Sequence, residues 1–255
     1  MRFYLEVAYD GTNYSGFQCQ NNAVAIQDIL NAALSDLFGT PVKTTGASRT
    51  DAGVHSRGNV CIFDVETRIK PSRIRFALNT RLPEDIRVMK SLRCADDFHP
   101  LRCSSVKTYR YRIWNGVIED PTKRLYYTHF HYPLDIDKMN EAASCLIGEH
   151  DFASFCAAGF TGDSTVRTIY ESHVERCGDE VIYTISGNGF LYNMVRIIAG
   201  TLIRIGNGKW DASYMKTVIE GKDRELAGDT APAKGLTLEK IEYNANDMKL
   251  TDTEV

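Results

Sequence analysis

A carboxylate two residues from a guanidinium, followed directly by alanine and glycine, is the arrangement in this chain best suited to chemistry: Arg49-Thr50-Asp51-Ala52-Gly53-Val54-His55. A turn here presents Asp51 and Arg49 to one ligand. A carboxylate kept ionised by a neighbouring guanidinium is a candidate nucleophile. Ala52 and Gly53 leave room for a ligand to come close to the backbone. An Asp-x-Gly turn is also common in ordinary loops, so the stretch taken alone reads as a structural turn.

Charge is distributed unevenly along the chain. The net charge of −3 hides an asymmetry: residues 1–124 carry 18 Lys+Arg against 13 Asp+Glu (+5), and residues 125–255 carry 12 against 20 (−8). Two stretches without acids concentrate the cations. One holds Arg68, Lys70, Arg73, Arg75 and Arg81. The other holds Arg102, Lys107, Arg110 and Arg112, interleaved with Tyr109, Tyr111 and Trp114. Basic side chains neutralise phosphates, and aromatic rings stack on exposed bases. The pattern is equally that of a solvated strand face with its aromatics in the core.

The elements that must position these residues follow from periodicity. Phe3 to Tyr9 reads as a strand stopped by Asp10-Gly11. A helix over about 24–38 places Ile26, Ile29, Leu30, Ala33, Leu34 and Leu37 on one face, with Gly39 and Pro41 ending it. Residues 42–45 form a short strand leading into the Asp51 loop, and 59–65 alternates as another. A helix over 71–80 and a strand over 86–91 complete a compact α+β pattern. Beyond it come a strand at 107–114, a helix from about Asp137 ended by Gly148, and a hairpin of 169–176 with 181–186 around Cys177-Gly178-Asp179. An apolar helix then runs from Phe190 to Ile205, a further helix from Asp211 to Gly221, and a last strand from Leu236 to Tyr243. Arg196 is a lone charge near the start of the apolar helix, and an unpaired buried charge is costly. Residues 244–255 are polar and read as frayed. The cut between two halves falls near residue 104, giving 1–104 and 105–255.

Several classes are disfavoured. Hydrophobic content of 43% and charged content of 25% are ordinary for a globular protein. No apolar run is long enough to span a bilayer, and the charged start Met1-Arg2-Phe3-Tyr4-Leu5-Glu6 does not read as a secretion signal. The seven cysteines are odd in number and none are spaced as Cys-x-x-Cys, which points to reduced thiols in a cytoplasm. His129 and His131 alternate on a strand without a nearby acidic or cysteine partner, so no metal site is expected.

The Asp51 loop has company along the chain. Tyr4-Leu5-Glu6-Val7-Ala8-Tyr9-Asp10-Gly11 is followed by Tyr14-Ser15-Gly16-Phe17-Gln18. Then come Asp96-Asp97-Phe98-His99, Lys107-Thr108-Tyr109-Arg110-Tyr111 and Gly148-Glu149-His150-Asp151-Phe152-Ala153-Ser154-Phe155. Asn193-Met194-Val195-Arg196 and Ala231-Pro232-Ala233-Lys234-Gly235-Leu236 close the series. In this order the motifs closely resemble the TruA family of tRNA pseudouridine synthases, from about Tyr4 to Tyr243. The resemblance implies a catalytic aspartate at Asp51, an arginine that pairs with it at Arg49, and an active-site tyrosine that contacts the target base at Tyr109. It also implies a second active-site arginine at Arg196 and an apolar residue lining the base pocket at Leu236. Ser48 stands where the family usually has glycine, and Cys19 stands where it often has arginine, which puts one RNA contact in doubt.

What the resemblance implies in full is an α+β protein of two α/β halves with a joined mixed, mainly antiparallel sheet flanked by helices, and an active site in the cleft between halves. The implied reaction is isomerisation of uridine to pseudouridine at positions 38, 39 or 40 of the tRNA anticodon stem-loop, by a homodimer, without metal or cofactor. Such a reaction flips the base out of its stack. Asp51 then attacks the ribose C1′ or takes a proton there, both being chemically open. The RNA-contact candidates are Arg68, Lys70, Arg73, Arg75 and Arg110. Two other readings compete: a non-catalytic RNA-binding protein on the same scaffold, and a hydrolase with an Asp51 nucleophile. The second lacks the metal-binding acid or second carboxylate that such hydrolases use.

Overall fold

The computed structural model describes residues 1–21 and 23–249. The chain divides into two compact units, Met1–Ser105 with Leu238–Val255, and Val106–Thr237. The first unit therefore takes back the end of the chain, which the pattern along the sequence assigned to the second half.

In the first unit the elements are β1 (Arg2–Tyr9), α1 (Ile26–Phe38), β2 (Thr45–Gly46), β3 (His55–Asp64), α2 (Pro71–Asn79) and β4 (Ile86–Arg93). The strands lie in the order β4-β1-β3-β10, where β10 (Leu236–Tyr243) is the strand that returns, and β2 adds to β3. The pairs β1–β3 and β1–β4 are antiparallel, running from Arg2 opposite Asp64 to Tyr9 opposite Ser56 in the first. Alternation sends Phe3, Leu5, Val7 and Tyr9 to one face, where α1 and α2 cover them. Ile26, Leu30, Ala33 and Leu34 of α1 and Ile74 and Leu78 of α2 are buried in that core with Cys61 and Phe63. On the other face Tyr4 meets Phe98, and Phe98 meets the ring of Tyr243 edge-on at 5.2 Å between centroids.

The second unit contains β5 (Ser105–Trp114, its first residue belonging to the first unit), β6 (Thr128–His129), α3 (Ile136–Ser144), β7 (Gly148–Asp151), β8 (Val166–Cys177) and β9 (Glu180–Gly187). After these come α4 (Met194–Gly206) and α5 (Tyr214–Gly221). The strands lie in the order β5-β9-β8-β7, antiparallel throughout, while β6 pairs with β5 in parallel. The hairpin β8–β9 turns at Cys177-Gly178-Asp179, as expected. Helix α3 starts on Asp135, whose side chain accepts the Lys138 N–H at 3.1 Å, and buries Met139, Ala142 and Ala143 against β8 and α4.

Both units confirm the α+β class with a mixed, mainly antiparallel sheet and flanking helices. The differences are local. β3 begins at His55, four residues before its alternation is visible. α4 begins at Met194 rather than Phe190, because Asn193 adopts φ 59 and breaks the helix there. β2, β6 and β7 are too short to leave a periodic signal. A short helix α6 (Ala245–Met248) occupies the start of the segment read as frayed, whose remainder past Lys249 lies outside the described residues. The seven cysteines are free. No helix among the described residues is long and apolar enough to cross a membrane.

Leu30 is fully buried at the centre of the first unit's core. Leu30→Ala is expected to lower stability by about 2–5 kcal/mol. A urea titration checks this, and an unchanged midpoint would contradict the packing described.

Candidate active site

Asp51 lies on a tight turn between β2 and β3, closed by the Val54 N–H donating to the Asp51 carbonyl at 3.1 Å. The loop after β1 grips this turn. The Phe17 N–H donates to the Thr50 carbonyl at 3.1 Å, and the Gly53 N–H to the Tyr14 carbonyl at 3.3 Å. The approach is so close that two positions accept only glycine. A Cβ on Gly11 would stand 2.0 Å from the Val54 carbonyl oxygen. On Gly16, which sits at φ +90, it would stand 2.5 Å from the Thr50 oxygen. Asp10 opens the same loop by accepting from the Thr12 N–H at 3.0 Å. The Gly11 N–H donates to His55 Nδ1 at 3.1 Å.

Beneath the turn lies a buried polar ladder. Tyr9 Oη and Thr50 Oγ1 are 2.8 Å apart. Asn59 Nδ2 donates to Tyr9 Oη at 3.2 Å and to the Ser48 carbonyl at 3.0 Å. Thr50 is thereby turned into the protein while its neighbours are turned outward: Arg49 is exposed and Asp51 half-buried. Arg49 lines a small cavity with Phe17, Gln27 and Thr44. Tyr14, conspicuous in the sequence, is a strut: its hydroxyl donates to Asp85 Oδ1 at 2.7 Å, and burial together with that carboxylate holds the phenol protonated.

Of the two departures from the family pattern, Ser48 is buried and offers its carbonyl to Asn59, so the ladder accommodates its small side chain. At Cys19, burial and Asp28 push the thiol up to about 11, which keeps it protonated and unreactive at neutral pH.

The second unit holds Tyr109, Arg196 and Leu236. Tyr109 is buried on β5 opposite Ile185, with the ring of Phe190 edge-on at 5.1 Å. Two residues on, Tyr111 Oη donates to the Pro232 carbonyl at 2.9 Å and lies 2.6 Å from Thr128 Oγ1. That contact seats the segment 231–236 against β5, so that Leu236 begins β10 buried. Arg196, in the first turn of α4, is not a snorkelling surface residue. Its Nε donates to the Ala231 carbonyl at 2.7 Å and its Nη1 to Asn193 Oδ1 at 2.9 Å, while the Ala231 N–H returns a bond to the Arg196 carbonyl at 3.1 Å. The structure thus brings Arg196 and the Leu236 segment together and docks that segment on the strand of Tyr109.

Alternation puts Arg110 on the face of β5 opposite Tyr109, and its Nε is buried without a partner. Arg75 is partly committed to the fold, donating to the Met89 carbonyl at 3.2 Å with its guanidinium 4.8 Å from the Phe76 ring centre. Arg73 is exposed, as are Arg68 and Lys70. Among the described residues no three His, Cys, Asp or Glu side chains are grouped to hold a metal.

One residue that the sequence reading placed only in a basic stretch belongs beside Tyr109. Lys107 shares the Tyr109 face of β5, and burial, with Arg167 nearby, pushes its ammonium down to about 8. The signal was available as the i, i+2 spacing to Tyr109.

Comparison with known proteins gives the family. A family model described as tRNA pseudouridine synthase matches residues 6–100 and 142–244. The chain belongs to the tRNA pseudouridine synthase family, whose members are isomerases. Within it, the chain is similar to tRNA pseudouridine synthase A of Brevibacillus brevis (strain 47), at 47% identity over 238 residues, covering 93% of this chain and 97% of that one. The enzymes of that name from Thermoanaerobacter sp. (strain X514) and Halalkalibacterium halodurans are 46% and 44% identical. They cover 94% and 92% of this chain, and 98% and 90% of their own. The family resemblance carried by the motifs is borne out.

Two outcomes are expected. Gly16→Ala forces the 10–18 loop away from the Thr50 carbonyl and displaces Asp51; kcat on tRNA should fall at least about 10-fold, as misplacement by 1 Å can cost 100-fold. Unchanged kcat would show that the clasp does not aim the carboxylate. Lys107 is charged below its pKa and neutral above it, so any substrate attraction it supplies is present below about pH 8 and lost as pH rises through that value. A pH series of tRNA affinity should show this limb in the parent protein and lack it in Lys107→Gln; identical profiles would contradict the assignment.

Proposed function

We propose that the protein converts uridine to pseudouridine at position 38, 39 or 40 in the anticodon stem-loop of tRNA, with Asp51 as the nucleophile. The observation that carries this reading is the Asp51 turn. Its backbone is clasped by two glycines, its inner residue Thr50 is anchored by Tyr9 and Asn59, and its carboxylate-bearing residue is left half-buried. Such preorganisation suits a carboxylate that must meet one carbon of a flipped nucleoside.

The reaction breaks the bond from ribose C1′ to uracil N1, turns the base, and forms a bond from C1′ to C5. The C5 proton leaves and N1 gains one, so the atoms balance with no oxidant, reductant or group donor. Asp51 acts on the ribose. Tyr109 lies against the uracil and assists removal of the C5 proton, its ring fixed edge-on by Phe190. Leu236 supplies an apolar wall. Arg196, held by Ala231 and Asn193, presents fixed positive charge to the reacting nucleotide. Arg49, exposed beside the turn, meets the RNA. Arg68, Lys70, Arg73 and Arg75 contribute phosphate contacts. The protein works as a homodimer in the cytoplasm, a reading that rests on resemblance and on the free thiols.

Asp51→Asn is expected to abolish pseudouridine formation while tRNA binding persists. Mapping pseudouridine by position in unmodified tRNA after incubation with each protein tests this, with size-exclusion chromatography for the dimer. Substantial turnover by Asp51→Asn would remove the nucleophile from the proposal. Binding without conversion by the parent protein would favour a non-catalytic RNA-binding role, and release of free uracil would favour a hydrolase.

A further inference from the structure

The first unit has a second concave feature, at the far end of the β1–β3 ladder from the carboxylate turn. The ladder runs from Tyr9 opposite Ser56, next to the turn, to Arg2 opposite Asp64. At roughly 3.3 Å per residue those ends are roughly 25 Å apart. Beyond the Asp64 end, an open groove of about 730 Å³ lies between the start of β1, the residues leading into α2, and the end of β4. Arg68, Lys70, Arg93 and Lys249 line it, against one acid, Asp96.

Neighbouring cations at the same rim are neutralised. Arg2 grips Asp64 through Nε at 2.9 Å and Nη2 at 2.8 Å, and the amino terminus binds Glu66 at 2.8 Å. The Asp96 carboxylate already accepts the Arg2 N–H at 3.2 Å. Arg68, Lys70, Arg93 and Lys249 form no ion pair among the described residues. Like charges gathered without partners in a concave wall focus a positive potential, which suits an anion. The aromatic residue in the wall, Phe3, is 1% exposed and offers no face for a base to stack on. The groove therefore fits phosphates rather than bases.

We propose that this groove seats backbone phosphates of the body of the tRNA, beyond the anticodon stem-loop that carries the target uridine. The proposal rests on the function proposed above and adds a second anchoring point to it. An A-form RNA stem rises less per base pair than the about 3.4 Å of B-form DNA, so roughly 25 Å spans more than about seven base pairs, which passes the end of a short stem. The four cations of the groove come from three separated stretches of chain, and Arg93 and Lys249 stood outside both basic runs of the sequence.

The test uses the full chain, full-length tRNA and an excised anticodon stem-loop, with binding measured over a series of salt concentrations. For Arg93→Gln/Lys249→Gln, affinity for full-length tRNA is expected to fall about 10-fold, and the slope of log K against log salt to decrease by about 2. Affinity for the excised stem-loop should match that of the parent. Arg93→Lys/Lys249→Arg should restore binding to the full-length tRNA. Equal losses on both RNAs, no loss on either, or a loss that the charge-retaining variant reproduces would each overturn the proposal. Pseudouridine formation by the parent on the same tRNA is assayed alongside. Conversion by the parent with undiminished binding by the double variant means that the groove alone fails; no conversion by the parent means that the proposed function fails.

Discussion

The first unit is organised around a near-contact of two backbones. The strand-to-helix loop that follows β1 passes so close to the turn after β2 that neither Gly11 nor Gly16 has space for a methyl group. From this contact the rest follows. The carbonyls of Gly16 and Phe17, held in place by it, accept the N–H groups of Ile26 and Gln27 at 3.1 and 2.9 Å, so the same loop also satisfies donors that the start of α1 would otherwise leave bare. Phe17 sends its ring into the core beneath, 6.2 Å from that of Tyr9. Tyr9 in turn reaches Thr50, the residue next to Asp51. One steric constraint thereby couples the hydrophobic core, a helix terminus and a candidate nucleophile.

The second unit fixes its candidate site residues by a different means. There the anchoring groups are side-chain donors reaching main-chain carbonyls across long sequence separations: Arg196 to Ala231 and Tyr111 to Pro232. Charged donors to a carbonyl are stronger than neutral ones, and both are partly buried, where the cost of leaving the partner unmet is high. The arginine is therefore a structural member and a source of charge together. That duality explains how an apolar helix tolerates it.

Local chemistry was legible in the sequence and long-range pairing was not. Alternation revealed β1, β5 and the β8–β9 hairpin, and helical spacing revealed α1 and α3, because each buries one face in a regular period. Asp51 was legible because aspartate, alanine and glycine at that spacing already specify an exposed turn. The role of Gly11 and Gly16 was not, since what excludes a side chain at either is a carbonyl some 35 to 45 residues away. The same holds for Arg110, whose charge suggested RNA contact while its strand register turns it from the face of Tyr109. Lys107 illustrates the converse: its position was plain, but only burial gives it an unusual proton affinity.

The placement of β10 has a consequence for how the chain is made. The strand beside β3 is supplied by residues that follow the whole of the second unit, so the first unit is interrupted by an insertion of well over a hundred residues. During synthesis the N-terminal segment emerges early but must wait, with the part of the β3 edge that β2 does not cover left unpaired, until nearly all of the chain has been translated. An edge left open in that way is a template for pairing with other nascent chains. The second unit, continuous in sequence, carries no such delay.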